Sequence, residues 1–149
     1  NIIKYCHRPF ASAEEMDETI LRNLNEVVRR SDTLWFLGDF ALGWKQNVGQ
    51  YRRAIECEDV RLLEGNHDRS RIGEIRRVFQ WVGYSIGIEV EGREVLLCHY
   101  PSTVWPRAAM GGWHLHGHSH GKGPRKEGLL DVGVDTHEFR PWSWKEIKE

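Results

Sequence analysis

The 149-residue chain is 40% hydrophobic and 29% charged, a balance that excludes both a disordered polypeptide and a membrane-embedded one. Its net charge of −1 and pI near 6.8 give no pull toward long nucleic acid or an anionic membrane. Three cysteines without CxxC spacing argue against a disulfide framework and for a reducing, cytoplasmic compartment.

In chain order, the stretch 12–30 reads as a helix. Ser12 is a good N-cap, Glu15 occupies the capping-box position, and Met16, Ile20, Leu24, Val27 and Val28 form an apolar stripe. TLWFLGDF (33–40) is a short apolar run ending at Gly38, which predicts a strand buried on both faces. The stretch 44–57 predicts a second helix with Val48, Tyr51, Ala54 and Ile55 inward, although Gly49 weakens it. DVRLLEGNHD (59–68) repeats the plan of strand, glycine and polar residues, and 71–79 predicts a short helix. YSIGIEVEGREVLLCHY (84–100) predicts a hairpin turning at Glu91–Gly92, with Cys98 expected to be buried. HLHGHSH is a strand end plus a turn, 128–135 is a further strand, and WSWKEIKE predicts a closing helix. With no repeat and no linker, the pattern predicts one α/β domain over residues 1–149.

Four polar clusters share one context: Gly38-Asp39, Gly65-Asn66-His67-Asp68, Cys98-His99-Tyr100-Pro101 and Gly117-His118-Ser119-His120. Each follows an apolar run at the carboxyl end of a predicted strand, where open α/β sheets gather their ligands. Any one of them has an ordinary explanation as a turn, a cap or a hydrogen-bonded histidine. Together they supply oxygen and imidazole donors without thiolate, a mix that suits Mn, Fe, Ni or Zn in a hydrolytic centre rather than a structural zinc.

GDF, GNHD, CHYP and GHSH, in this order, resemble the signature of the calcineurin-like metallophosphoesterases, most closely their small bacterial and phage members. NIIKYCHRPF and LDVGVDTHEFRP carry the same likeness, which spans essentially the whole chain. The resemblance implies a four-layer α/β/β/α sandwich of two mixed β-sheets flanked by helices. It also implies two divalent metal ions and hydrolysis of phosphodiester or phosphomonoester bonds by a hydroxide bridging those ions. Asp39 would bridge the two ions. Asn66, His99 and His118 would ligate one ion, and His120 the other. His67 would steady the transition state or protonate the leaving oxygen, with Asp68 orienting it. Two cations suit this chemistry because they acidify water and hold the phosphoryl oxygens, and an imidazole titrates near the working pH. His7 and Arg8 are candidates to hold phosphate at the mouth of the site. His114 and His116 share a strand face with period two, and His116 could orient a ligand or touch substrate.

The family pattern opens with Asp-x-His at the end of a first strand, just before a stretch like NIIKYC. This sequence opens at Asn1, and the reading expects that strand to be missing from it. Asp135-Thr136-His137 is the one Asp-x-His in the chain. It lies far from the expected place and is not expected to substitute. With these residues alone, one ion keeps Asp39, Asn66, His99 and His118, while the other keeps only Asp39 and His120. That shortfall sustains the competing expectation of a non-catalytic metal-binding or interaction module on the same scaffold. The expected substrate is a phosphoester small molecule or nucleotide, with long nucleic acid disfavoured and no membrane as partner.

Overall fold

The computed structural model describes residues 2–41 and 47–149. Two sheets organise the chain. The first has the order β1 (Thr33–Phe36), β2 (Asp59–Leu63), β3 (Trp81–Gly83), and it is parallel throughout. The second has the order β4 (Ser85–Val90), β5 (Arg93–Cys98), β6 (Trp113–His116), β7 (Leu129–Asp131). Its β4–β5 pair is antiparallel and its other two pairs are parallel. Only the second sheet is therefore mixed. In the first, helices α3 (Val48–Ala54) and α4 (Ile72–Val78) carry the chain between strands, the connection that parallel pairing requires.

Side-chain alternation divides the core. Leu34, Phe36, Val60 and Leu62 join Leu24 of α2 (Ala13–Val27), Val48 of α3 and Ile75 of α4 in one cluster. Trp35, Leu37 and Leu63, of opposite parity, join Val95, Leu97 and Leu115 of the second sheet in another. The second cluster also takes Trp144 and Ile147 of the closing helix α5 (Trp144–Lys148). Mixed α/β architecture with two sheets is therefore the fold of this chain. Among the described residues, no helix is long and apolar enough to cross a membrane.

Local chemistry accounts for most element boundaries. Ser12 caps α2 through its hydroxyl on the Glu15 N–H at 3.1 Å, and the Glu15 carboxylate accepts the Ala11 N–H at 2.8 Å. The hairpin turns where expected, with positive φ at both Glu91 and Gly92, the twist a two-residue turn needs. α3 begins at Asn47, whose side chain accepts the Gln50 N–H. Residues 44–46 of the expected helix lie outside the described residues, and its last turn, 55–57, is extended or irregular. Ala54, expected inward, is exposed, whereas Cys57 is fully buried and Cys98 only half-buried. Val27, also expected inward, is exposed at the end of α2. Expected strand 128–135 stops at Asp131 and continues as a 3₁₀ turn, Val134–Thr136. Two elements go unannounced in the sequence pattern: helix α1 (Ile2–Cys6) and the three-residue strand β3.

Candidate metal centre

The polar clusters converge because five strands end at the same place. Asp39 follows β1, Asn66 follows β2, His99 follows β5, His118 and His120 follow β6, and Asp135 follows β7. Asp39, His67, His99, His118, His120 and Asp135 all line one cavity of about 590 Å³ that reaches between the two sheets. Two glycines allow the close approach. A Cβ at Gly38 would collide with the His99 ring and with Gly65 Cα, and a Cβ at Gly65 would collide with the Asp39 carboxylate.

The central group is Asp39, His99 and His118, whose ligand atoms lie within 4.8 Å of one another. His99 is 1% exposed, and its Nδ1 lies 2.6 Å from the Leu37 carbonyl. A carbonyl only accepts, so Nδ1 carries a hydrogen, which leaves Nε2 as the ring atom that can offer a lone pair. Nε2 faces Asn66 Oδ1 at 3.1 Å and Asp39 Oδ2 at 3.5 Å. His118 stands edge-on to His99, with ring centroids 5.0 Å apart. Burial, and then the neighbouring His99, push its pKa down, which favours the neutral ring. Oxygen and imidazole donors in this disposition can hold a divalent cation.

Asp39, His118 and His120 have φ of 59, 63 and 48. The left-handed region is disfavoured for any residue with a Cβ, by about 1–3 kcal/mol each. Three such residues among five expected ligands is the kind of strain that folds retain at working sites.

Asp68 was expected to orient His67. It is fully buried, and its carboxylate instead accepts three backbone N–H groups: Asp39 at 2.7 Å, Phe40 at 2.9 Å and Gly65 at 2.9 Å. Burial pushes its pKa up, opposed by those three donors. Its role is to tie the Asp39 loop to the Asn66 loop. His67 itself is exposed, and its N–H donates to Asp39 Oδ1 at 2.9 Å.

Arg8, a candidate to hold phosphate, lines the same cavity with its guanidinium engaged by Asp135, and His116, a candidate to orient a ligand or touch substrate, is buried. His116 is 1% exposed, with Nδ1 2.8 Å from the Gly117 carbonyl. His114, also 1% exposed, packs edge-on against Trp105 and His116. Arg8 forks onto Asp135, with Nε to Oδ1 and a terminal nitrogen to Oδ2, both at 2.7 Å. His7 lies exposed beyond the end of α1, with φ of 53.

Asp135-Thr136-His137 was not expected to substitute for the family's Asp-x-His, and its two ends go to different places. His137 leaves the site, stacking on Trp142 and reaching Glu146. Asp135 enters it: its Oδ2 lies 2.7 Å from His120 Nδ1. Burial would raise the Asp135 pKa, but hydrogen bonds from His120 and Arg8 outweigh it and hold the carboxyl at about 2. Cys6 lies beside the pair, close enough that Cys6, His120 and Asp135 form a second group of donors. Burial, and then the Asp135 carboxylate, push the Cys6 thiol up from its ordinary value. Tyr100, edge-on to both His99 and His118, is a further neighbour the sequence reading left unassigned. Its place directly after His99 is the only signal that could have found it.

Set beside known proteins, this chain matches no protein-family model. It is 33% identical to the uncharacterized protein MJ1445 of Methanocaldococcus jannaschii over an alignment of 153 positions, covering 96% of this chain and 79% of that one. The chain belongs to the family of that archaeal protein. It is also 29% identical to the Gene 66 protein of Mycobacterium phage L5, across 72% of this chain and 65% of the phage protein. The crystal structure of AQ665 from Aquifex aeolicus, a protein of unknown function, shares the fold. Its TM-score is 0.76 at 24% identity, covering 99% of this chain and 90% of that one.

Proposed function

We propose that this chain is a metal-dependent phosphoesterase of the calcineurin-like type, its two sheets packed as the inner layers of a four-layer sandwich. The observation that carries this reading is the convergence of Asp39, His99 and His118, with Asn66 Oδ1 3.1 Å from His99 Nε2, at the ends of strands from both sheets. Oxygen and imidazole donors so placed suit a divalent cation. Asp39, Asn66, His99 and His118 fit one divalent ion. For a second, Asp39 and His120 remain available, and both Asp135 oxygens are already taken by Arg8 and His120. A divalent cation in this centre supplies positive charge to phosphoryl oxygens and acidifies water.

The chain's own residues supply the rest. The Gly38 and Gly65 turns bring the donors close enough to share an ion. Asp68 fixes the spacing of the two loops from below. His67, exposed above Asp39 and tied to it only through its backbone N–H, keeps its ring available to give a proton to the departing oxygen. The substrate is a small phosphodiester, phosphomonoester or nucleotide. A net charge of −1 gives the chain no overall attraction for a long polyanion.

The test is hydrolysis of bis-p-nitrophenyl phosphate and p-nitrophenyl phosphate with Mn²⁺. Wild type is expected to turn over at least one of them. Asp39→Asn should reduce the rate by about 100-fold or more, and His67→Ala by about 10²–10⁴-fold with Mn²⁺ binding kept. Protein that binds Mn²⁺ yet shows no rate above buffer overturns the enzyme reading. It would leave the alternative, a non-catalytic metal-binding module, which the incomplete donor set around His120 favours.

A further inference from the structure

The pairing of Asp135 with His120 asks for an explanation that a simple ion pair does not give. Asp135 sits in the 3₁₀ turn after β7 with its side chain 11% exposed, and Arg8, 8% exposed, grips both of its oxygens. Arg8 comes from the other end of the chain, 127 residues away in sequence. The carboxylate therefore has a fixed position and a fixed orientation. A carboxylate only accepts, so the hydrogen in its 2.7 Å contact belongs to His120 Nδ1. The His120 backbone is held as well. Asp131, at the end of β7, accepts the Gly121 N–H at 2.8 Å on one oxygen and the Gly133 N–H at 2.9 Å on the other.

We propose that Asp135, clamped by Arg8, is the positioning residue that holds His120 as the Nδ1–H tautomer with Nε2 open to a metal ion. The same device serves His99, where the Leu37 carbonyl takes the Nδ1 hydrogen and Nε2 faces the donors of the centre. Histidines that ligate metals commonly donate their other ring N–H to a carboxylate or carbonyl, which fixes the ring and strengthens it as a donor. The alternative use of this cluster, an ion held directly by Cys6, His120 and Asp135, would compete with Arg8 and His120 for the Asp135 lone pairs. This inference rests on the metal-centre reading above and goes beyond it by assigning Asp135 and Arg8 a role.

The experiment uses the full chain labelled with ¹⁵N-histidine, metal-free, at pH 8. Two-bond ¹H–¹⁵N spectra report each tautomer, and the His120 signals are assigned by their loss in His120→Gln. Wild type should show His120 protonated at Nδ1, and Asp135→Ala should move the proton to Nε2. In calorimetric titration with Mn²⁺ alone, Asp135→Asn should bind about 10–100-fold more weakly. Arg8→Lys should keep the tautomer and lose less affinity than Asp135→Asn. An Nε2–H tautomer in wild type, or unchanged tautomer and Mn²⁺ affinity in the Asp135 variants, overturns the proposal. If Asp135→Ala fails to fold, the wild-type spectrum and Asp135→Asn still decide it. Neither readout depends on turnover. Protein with the Nδ1–H tautomer but no hydrolysis would sink the phosphoesterase reading alone, and an active enzyme with His120 protonated at Nε2 would sink this one alone.

Discussion

Asp68 shows how a single buried carboxylate can matter without touching substrate. Its two oxygens accept N–H groups from Asp39, Phe40 and Gly65, in two loops that follow different strands. Asparagine in its place offers one accepting oxygen and turns an NH₂ toward a donor that needs an acceptor. Asp68→Asn should therefore cost about 2–3 kcal/mol, a melting-temperature drop of roughly 5–10 °C measured on metal-free protein. A residue that merely oriented His67 would behave otherwise, losing turnover at unchanged melting temperature, and that result would refute the clamp. Much of the site was readable at this scale, because Gly-Asp, Gly-Asn-His-Asp and Gly-His-x-His place their donors where strands end. What the sequence hid was the direction of each side chain. Asp68 follows His67 in sequence, yet it points inward to backbone. Asp135 looked like part of a local Asp-x-His, but its partners are Arg8 and His120, which no spacing rule joins.

At the scale of the element, α5 carries the clearest electrostatic device outside the site. Ser143 and Glu146 form a capping box. The Ser143 N–H donates to the Glu146 carboxylate at 2.9 Å and the Ser143 hydroxyl donates at 2.7 Å, while Arg140 adds a third donor at 2.7 Å. Those bonds, the backbone one first, hold the Glu146 carboxyl at about 2, below its ordinary value of 4.5. A depressed acid stabilises the fold fully above its unfolded pKa and loses that contribution as pH falls through the folded one. Urea unfolding of wild type should therefore lose stability between about pH 4.5 and pH 2, and Glu146→Gln should be flatter over that window. Parallel curves would show that the cap adds nothing to folding. A cap of this kind made α2 legible in advance, as Ser12 stands just before its helical run; the Ser143 cap of α5 was not read from the sequence. β3 escaped because three residues are too few to show alternation, and it forms only because β2 offers an edge. α1 escaped for a similar reason: five residues hold too little pattern to distinguish a helix from a strand.

For the whole molecule, the candidate centre is the place where the two sheets are joined by polar groups. Asp39 and Asn66 come from the parallel sheet, and His99 and His118 come from the mixed one. Beneath the centre, Leu97 and Leu115 of the mixed sheet pack with Trp35 and Leu63 of the parallel one. The α/β class followed from the sequence, because the longer apolar runs name their own elements. The division into two sheets came only from the family resemblance, since nothing local in 81–90 says that the chain leaves one sheet at Gly83 and enters the next at Ser85. An ion held by donors from both sheets would act as a cross-brace, binding the folded chain and not the unfolded one. At 100 times its dissociation constant, Mn²⁺ should then add about 2.7 kcal/mol, and the melting temperature should rise by roughly 5–10 °C. EDTA should reverse the gain, and Asp39→Asn should abolish it. Hydrogen exchange should slow on both sides of the centre together, at Gly65 and at Gly117, whose N–H already donates to the His99 carbonyl. Protection appearing in only one sheet, or a melting temperature indifferent to Mn²⁺, would mean that the donors do not share an ion.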